Sequence, residues 1–208
     1  MTSPLTDTEA PTTRERILRE AARLFADRGF YGTSTREIAA AAEIRQPSLF
    51  HHFPTKDAIM LALIDINLDE PTAVAEREAE SDDPAALRLY RYLVWDLSFI
   101  CRCEYDLTSA EPIMSDPAFA DQYPRYERLV EARRRIIKDG IESGEFTDLD
   151  IDLVQKIIVW ILRGDIADCR GTQPADVADT ADKLASFALR ALLEDPSRLA
   201  AIRAAAQV

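Results

Sequence analysis

The chain has 208 residues, enough for one or two compact domains with a substantial apolar core. Its 25 basic and 37 acidic residues leave a net charge of −12, which excludes a protein whose whole surface embraces a polyanion. No apolar run reaches the length of a membrane span and no hydrophobic signal opens the chain. Three cysteines (Cys101, Cys103, Cys169) are too few for a disulfide framework, so a cytoplasmic protein with no membrane partner is expected.

Alternation of period two is absent and helical periodicity dominates, which predicts an all-α fold. Residues 1–11 are polar, with two prolines and no period, and predict a disordered arm. Thr12 or Thr13 then caps a helix to about Arg28. Its stripe is Ile17, Leu18, Ala21, Leu24 and Phe25, and Gly29 ends it. Gly32 to Thr35 turn the chain and cap a short second helix whose Ile38, Ala39 and Ala42 face inward. A third starts at Pro47, tolerated in a first turn because its missing N–H has no intrahelical partner there; Leu49, Phe50 and Phe53 form its apolar face. Pro54 breaks it, and Thr55 N-caps a fourth helix from Lys56 to about Asn67. Residues 70–84 read as an acidic connector, part helix, before Asp83-Pro84 starts a central helix carrying Leu87, Tyr90, Leu93, Val94, Leu97, Phe99, Ile100 and Cys101. A second connector, in which Asp116-Pro117 opens one helical turn, leads to a helix from Pro124 to Ser143. Asp150 caps the next, through Leu153, Ile157, Ile158, Trp160, Ile161 and Leu162 to Gly171. The last long helix, Ala175 to Leu193, aligns Val177, Ala181, Leu184, Phe187, Ala188 and Leu192, and Asp195-Pro196 begins a short tail expected to fray.

Within this chain the stretch Ser34–Phe53 stands out as two short helices joined by a tight turn. Arg45, Gln46, Ser48, His51 and His52 surround the start of the second, side chains of the types that can hydrogen-bond base edges and phosphates. Charge is partitioned accordingly. Residues 12–62 hold 8 basic and 6 acidic residues, a net of +2, and the acidity lies in the rest. Lys56 in a first helical turn opposes the helix dipole, a local cost that a bound phosphate repays. Other chemistry has little support. Cys101 and Cys103, like His51 and His52, stand too close in sequence to face one metal from a helix, so no metal or cofactor is expected and the thiols read as buried. No Ser-His-Asp set and no Gly-rich phosphate loop appears, and no enzyme is expected.

Arg16-Ile17, Ala21-Ala22, Leu24-Phe25, Gly29, Thr33 to Thr35, Ile38-Ala39, Gln46 to Phe50, His52-Phe53 and Lys56 fall at one consistent set of spacings. Residues 13–62 thereby resemble the N-terminal domain of the tetracycline-repressor (TetR) family of transcription regulators. The resemblance implies a three-helix DNA-binding domain over 12–70, with its helix-turn-helix at 34–53, and a helical effector-binding and dimerisation domain over 71–208. It implies phosphate contacts from Thr35 and Arg36, base reading by Arg45, Gln46, Pro47 and Ser48, and backbone contacts from Phe50, His51, His52 and Lys56. Two residues depart from the family pattern. Glu43 stands where the turn usually has Gly, and Phe50 where Tyr is usual, one hydroxyl short of a phosphate hydrogen bond.

The remaining two-thirds resembles the family in layout, including a Gly-Ile-Glu-Ser-Gly-Glu-Phe segment at 140–146. Helices at about 150–170 and 174–194 are the implied homodimer interface. Trp95, Phe99, Tyr105, Met114, Tyr126 and Trp160 are candidates to line an effector pocket, ordinary core packing being the other reading of each. Glu104, Asp106 and Asp165 beside such a pocket favour a cationic ligand, though a solvated face explains them equally well. The expected function is a homodimeric repressor of a palindromic double-stranded operator, released by a small-molecule effector. The alternative is an all-α ligand-binding or scaffolding protein with weakened DNA binding.

Overall fold

A computed structural model describes residues 11–103, 105, 116–164 and 174–206, without the side chains of 160–164 and 174–175. Among these residues every regular element is helical, apart from one isolated β-bridge between Phe146 and Leu193. The described chain clusters into two units. Residues 11–67 with Tyr105 make the first, and 68–103 with 116–206 the second.

The first unit begins with α1 (Thr13–Arg28) and α2 (Thr35–Ala41), each opened by a reciprocal cap. Thr12 Oγ1 accepts from the Glu15 N–H at 3.2 Å while the Glu15 carboxylate accepts from the Thr12 N–H at 2.7 Å. Ser34 and Glu37 repeat the arrangement at 3.2 and 2.9 Å. The Thr12 backbone and hydroxyl hold the Glu15 carboxyl below its usual range, and those of Ser34 do so for Glu37. After α3 (Gln46–His52), Thr55 caps α4 (Lys56–Glu80) through the Ala58 N–H at 3.0 Å. Ile17, Leu18, Ile38, Leu49, Ile59 and Leu63 close the core of this unit.

α4 overturns one expectation, since it does not end near Asn67 but runs through Pro71 to Glu80. A proline inside a helix removes one hydrogen bond and costs about 3 kcal/mol. Val74, Ala75 and Ala79 bury a continuous stripe beyond it and outweigh that cost.

In the second unit α5 (Ala85–Arg102) starts where expected but is capped differently. Asp83 does not cap it; that carboxylate accepts from Ser81 and Arg91. The Ala85 and Ala86 N–H groups instead donate to the Glu145 carboxylate at 3.0 and 3.2 Å. Asp116 caps a 3-10 turn over Pro117–Gln122, as its Asp-Pro pair predicts, and α6 (Tyr123–Glu142) follows. Asp150 caps α7 (Ile151–Gly164), and α8 covers Pro174–Leu192; the expected extension of α7 to Gly171 lies outside the described residues. The tail does not fray but forms α9 (Leu199–Ala206), docked by Leu199, Ile202 and an Arg203–Asp182 ion pair.

Two helices are more exposed than their stripes suggest. Val154 and Ile158 bury the inner face of α7, while Leu153 and Ile157 are 50 % and 42 % exposed. On α8, Val177, Ala181, Ala185 and Leu189 face inward and Phe187 stands 68 % exposed.

Candidate nucleic-acid interface

The turn between α2 and α3 is closed by two backbone bonds, Glu43 N–H to Ala40 O at 3.2 Å and Ile44 N–H to Ala39 O at 2.9 Å. This C-terminal lock needs a left-handed residue, and Glu43 supplies it at φ 55° although it carries a side chain. α3 then starts one residue before Pro47, with extended Arg45 as its N-cap residue and no side-chain cap. Pro47 has no N–H, and the Ser48 and Leu49 N–H groups donate to the Arg45 carbonyl at 2.9 and 3.2 Å, so this helix end meets an approaching partner chiefly with side chains.

Around that end Arg45, Pro47 and Ser48 are exposed, and so are His51 and His52 one turn on. Leu49 and Phe53 anchor the other side in the core, with the Arg14 guanidinium 5.0 Å above the Phe53 ring. Phe50 corrects the sequence reading: it is not part of the inward face but lies outside, 43 % exposed. Gln46 is half-buried, and its amide N–H donates to Thr35 Oγ1 at 3.1 Å, tying the start of α3 to the start of α2. Arg36 is exposed beside that junction.

Lys56 does more than sit at a helix start. Its ammonium donates to the carbonyls of Phe30 at 2.7 Å and Thr33 at 2.9 Å, and lies 4.2 Å from the centre of the Phe30 ring. The loop it holds is tight. A Cβ on Gly32 would fall 2.3 Å from the Arg28 carbonyl oxygen, and buried Thr33 donates its hydroxyl to Leu24 O and Gly29 O. Lys56 thus spends much of its hydrogen-bonding capacity on its own fold. Sequence reasoning missed this clamp because its acceptors are backbone atoms more than twenty residues earlier.

The effector-pocket candidates divide. Trp95 and Phe99 stack on α5 with ring centres 5.2 Å apart, and half-buried Tyr126 lies on α6 in the same unit. Tyr105 groups with the first unit, its carbonyl accepting from Asn67 at 2.8 Å. Met114, the Trp160 side chain, Glu104, Asp106 and Asp165 lie outside the described residues. The cysteines differ from expectation too, since both Cys101 and Cys103 are only half-buried and Cys101 is disulfide-bonded.

The sequence reading also passed over a polar group buried inside the second unit. The Tyr92 hydroxyl donates to Asp96 Oδ2 at 2.9 Å, and Arg133 of α6 lies beside them, all three buried. Burial raises the Asp96 carboxyl above its usual range, against the pull of Arg133 and the Tyr92 hydrogen bond. A signal was present: Arg133 stands four residues after Leu129 and three before Ile136, on the buried stripe of its helix.

A short helix presenting its polar, uncapped N-terminal end on a capped and clamped scaffold defines a helix-turn-helix DNA-binding protein. Residues 17–63 match the model of the bacterial regulatory proteins of the tetR family. The repressor KstR2 of Mycobacterium tuberculosis is 30 % identical over 156 residues, 71 % of this chain and 78 % of that protein. KstR2 of Mycolicibacterium smegmatis is 27 % identical over 171 residues, 76 % of this chain and 82 % of the relative. The crystal structure of Mycobacterium smegmatis AmtR superimposes with a TM-score of 0.73 at 29 % identity, covering 98 % of this chain and 97 % of that one. The chain belongs to the TetR family and is a DNA-binding transcriptional regulator.

Proposed function

We propose that this regulator is a repressor that binds a palindromic operator as a homodimer and is released by a small-molecule effector bound among its C-terminal helices. The boundary we assign falls near residue 70, with DNA binding over 12–70 and effector binding and dimerisation over 71–208. The observation that carries the DNA half is the outward display of Arg45, Pro47 and Ser48 at the uncapped start of α3. In this reading Arg45 pairs with guanine and Gln46 with adenine, each worth roughly 1–3 kcal/mol of discrimination, and Pro47 presses on a thymine methyl. Thr35, Arg36, Phe50, His51, His52 and the remaining N–H of Lys56 face the phosphate backbone.

The dimer half is supported by apolar side chains that this chain leaves in water. Leu149 just before α7 and Leu153 and Ile157 within it recur every four residues, and Phe187 stands out from α8. Such surface is costly unless covered, and a two-fold axis lets each copy cover the other. Two copies then present two α3 helices to successive major grooves, and an effector acts by favouring a state in which that spacing no longer fits.

The test is fluorescence anisotropy on DNA from the chain's own promoter region across a salt series, with sedimentation on the same samples. An Arg45→Ala/Gln46→Ala variant is expected to lose at least about tenfold in affinity. Phe187→Glu is expected to sediment as a monomer. Equal binding by the double variant would refute the reading-helix assignment. Absence of saturable, sequence-specific binding by the wild type would favour a ligand-binding or scaffolding protein instead.

A further inference from the structure

We propose that Arg133 anchors the effector site and that the effector is a small organic carboxylate with an apolar body, an inference that rests on the effector-release reading above. Arg133 is only 3 % exposed, and its Nε has no acceptor. Among the described residues it makes no direct ion pair. Its fork has the Tyr92 hydroxyl as a hydrogen-bond partner and the Asp96 carboxyl nearby, and that hydroxyl's own proton goes to Asp96. A buried guanidinium with one shared hydroxyl for its fork and no partner for its Nε is incompletely satisfied, and that carries a cost.

The same unit shows how this chain houses a structural arginine. Arg88, also buried and likewise without a partner at its Nε, fills its fork: it donates to the carbonyls of Glu78 and Ala79 and pairs with Asp139 at 3.0 Å. Arg133 has no such set. On the next helix Gln155 is left similarly incomplete: its amide N–H reaches Val130 O at 3.1 Å, one turn before Arg133, while its buried Oε1 has no donor. Unsatisfied polar atoms therefore gather where α5, α6 and α7 pack together. A ligand is the economical way to complete them.

The chemistry of that ligand follows from the groups present. A guanidinium fork matches a planar carboxylate through two parallel hydrogen bonds. A dianionic phosphate would set two negative charges beside buried Asp96 against one cation, so a single negative charge fits better. Tyr92, Asp96 and Phe99 share one face of α5 at helical spacing, and Trp95 stacks on Phe99, so aromatic surface continues from the polar group. The acidic residues that suggested a cationic ligand from sequence lie outside the described residues, and Arg133 argues for the opposite charge.

The experiment is thermal unfolding of the full chain with benzoate, phenylacetate and hexanoate, each beside its neutral amide, with release of labelled promoter DNA as a second readout. At saturation at least one acid is expected to raise the wild-type melting temperature by about 5 °C, with its amide inactive. Arg133→Met is expected to abolish that shift. Without ligand it should melt at or above the wild-type temperature, whereas Arg88→Met should melt well below it. An Arg133→Met chain that melts far below wild type marks a structural arginine and overturns the proposal. So does an acid that shifts the variant as much as the wild type, or failure of every acid on the wild type. If neutral compounds or amines release DNA where the acids fail, the effector reading survives and only the carboxylate assignment falls. If no compound releases DNA, effector release itself falls.

Discussion

Replacing Glu43 with glycine is expected to stabilise the DNA-binding unit. Glu43 holds φ 55° because the lock of Glu43 N–H on Ala40 O and Ile44 N–H on Ala39 O admits no other backbone path. A side chain in that region costs roughly 1–2 kcal/mol. Glycine removes the cost but returns about 0.5–1 kcal/mol through the greater freedom of its unfolded chain. The net gain is about 0.5–1 kcal/mol, or roughly 2–3 °C for a chain of this size. Glu43→Ala is the necessary control. It removes the same exposed carboxylate, and with it the same repulsion of DNA, but keeps the Cβ that causes the strain. The difference between the two variants, read by urea unfolding followed by circular dichroism, isolates the backbone term. A Glu43→Gly variant no more stable than Glu43→Ala would refute the strain argument.

Three further perturbations follow from the second unit. Glu145→Ala should cost about 1–2 kcal/mol in urea unfolding, the usual loss for a missing helix cap, because the Ala85 and Ala86 N–H groups lose their acceptor. Gly140→Ala should cost about 1–3 kcal/mol by overpacking, since its new methyl would meet the Phe146 ring at 2.2 Å; unaltered stability would show that this ring moves freely. Asp96 makes a prediction in pH. Burial raises its folded-state pKa above the unfolded value, so its contribution is most favourable below about pH 4 and is lost as pH rises through the raised value. Asp96→Asn should therefore gain stability relative to wild type as pH climbs from 4 to 7, and a constant gap between their urea midpoints would contradict this.

What the sequence discloses here is what local chemistry dictates. Helices announced themselves through stripes such as Ile17, Leu18, Ala21 and Leu24, and through caps whose donor and acceptor lie three residues apart, as in Thr12 with Glu15. Where the deciding partner is distant, local rules mislead. Asp83-Pro84 has every local mark of a cap, yet the acceptor is Glu145, sixty residues from Ala85. Pro71 reads as a breaker until Val74, Ala75 and Ala79 are seen to be buried. In the reading helix the polar residues at the start of α3 were identifiable by type and spacing, but the orientation of Phe50 was not, because a three-residue apolar face fits a short helix in more than one way. Lys56 was noticed as a cation out of place, while its carbonyl acceptors depend on how a loop folds back. Arg133 is the opposite case, legible from its register and passed over because a lone arginine in an apolar stripe is easily assigned to the surface.

The segment from Gly140 to Phe146 is the last turn of α6 and the start of the connection to α7, and connections usually absorb insertions without harm. This one does not have that freedom. The Gly140 carbonyl accepts from both Glu145 and Phe146, Phe146 bridges to Leu193, the Glu145 carbonyl accepts from Glu194, and the Glu145 carboxylate holds the start of α5. An epitope tag or a single added residue there would displace α5, α6 and the end of α8 together. Tags and permuted termini belong at the exposed stretch around Asp82, where the side chains of Ser81 and Asp83 bond to each other and to Arg91.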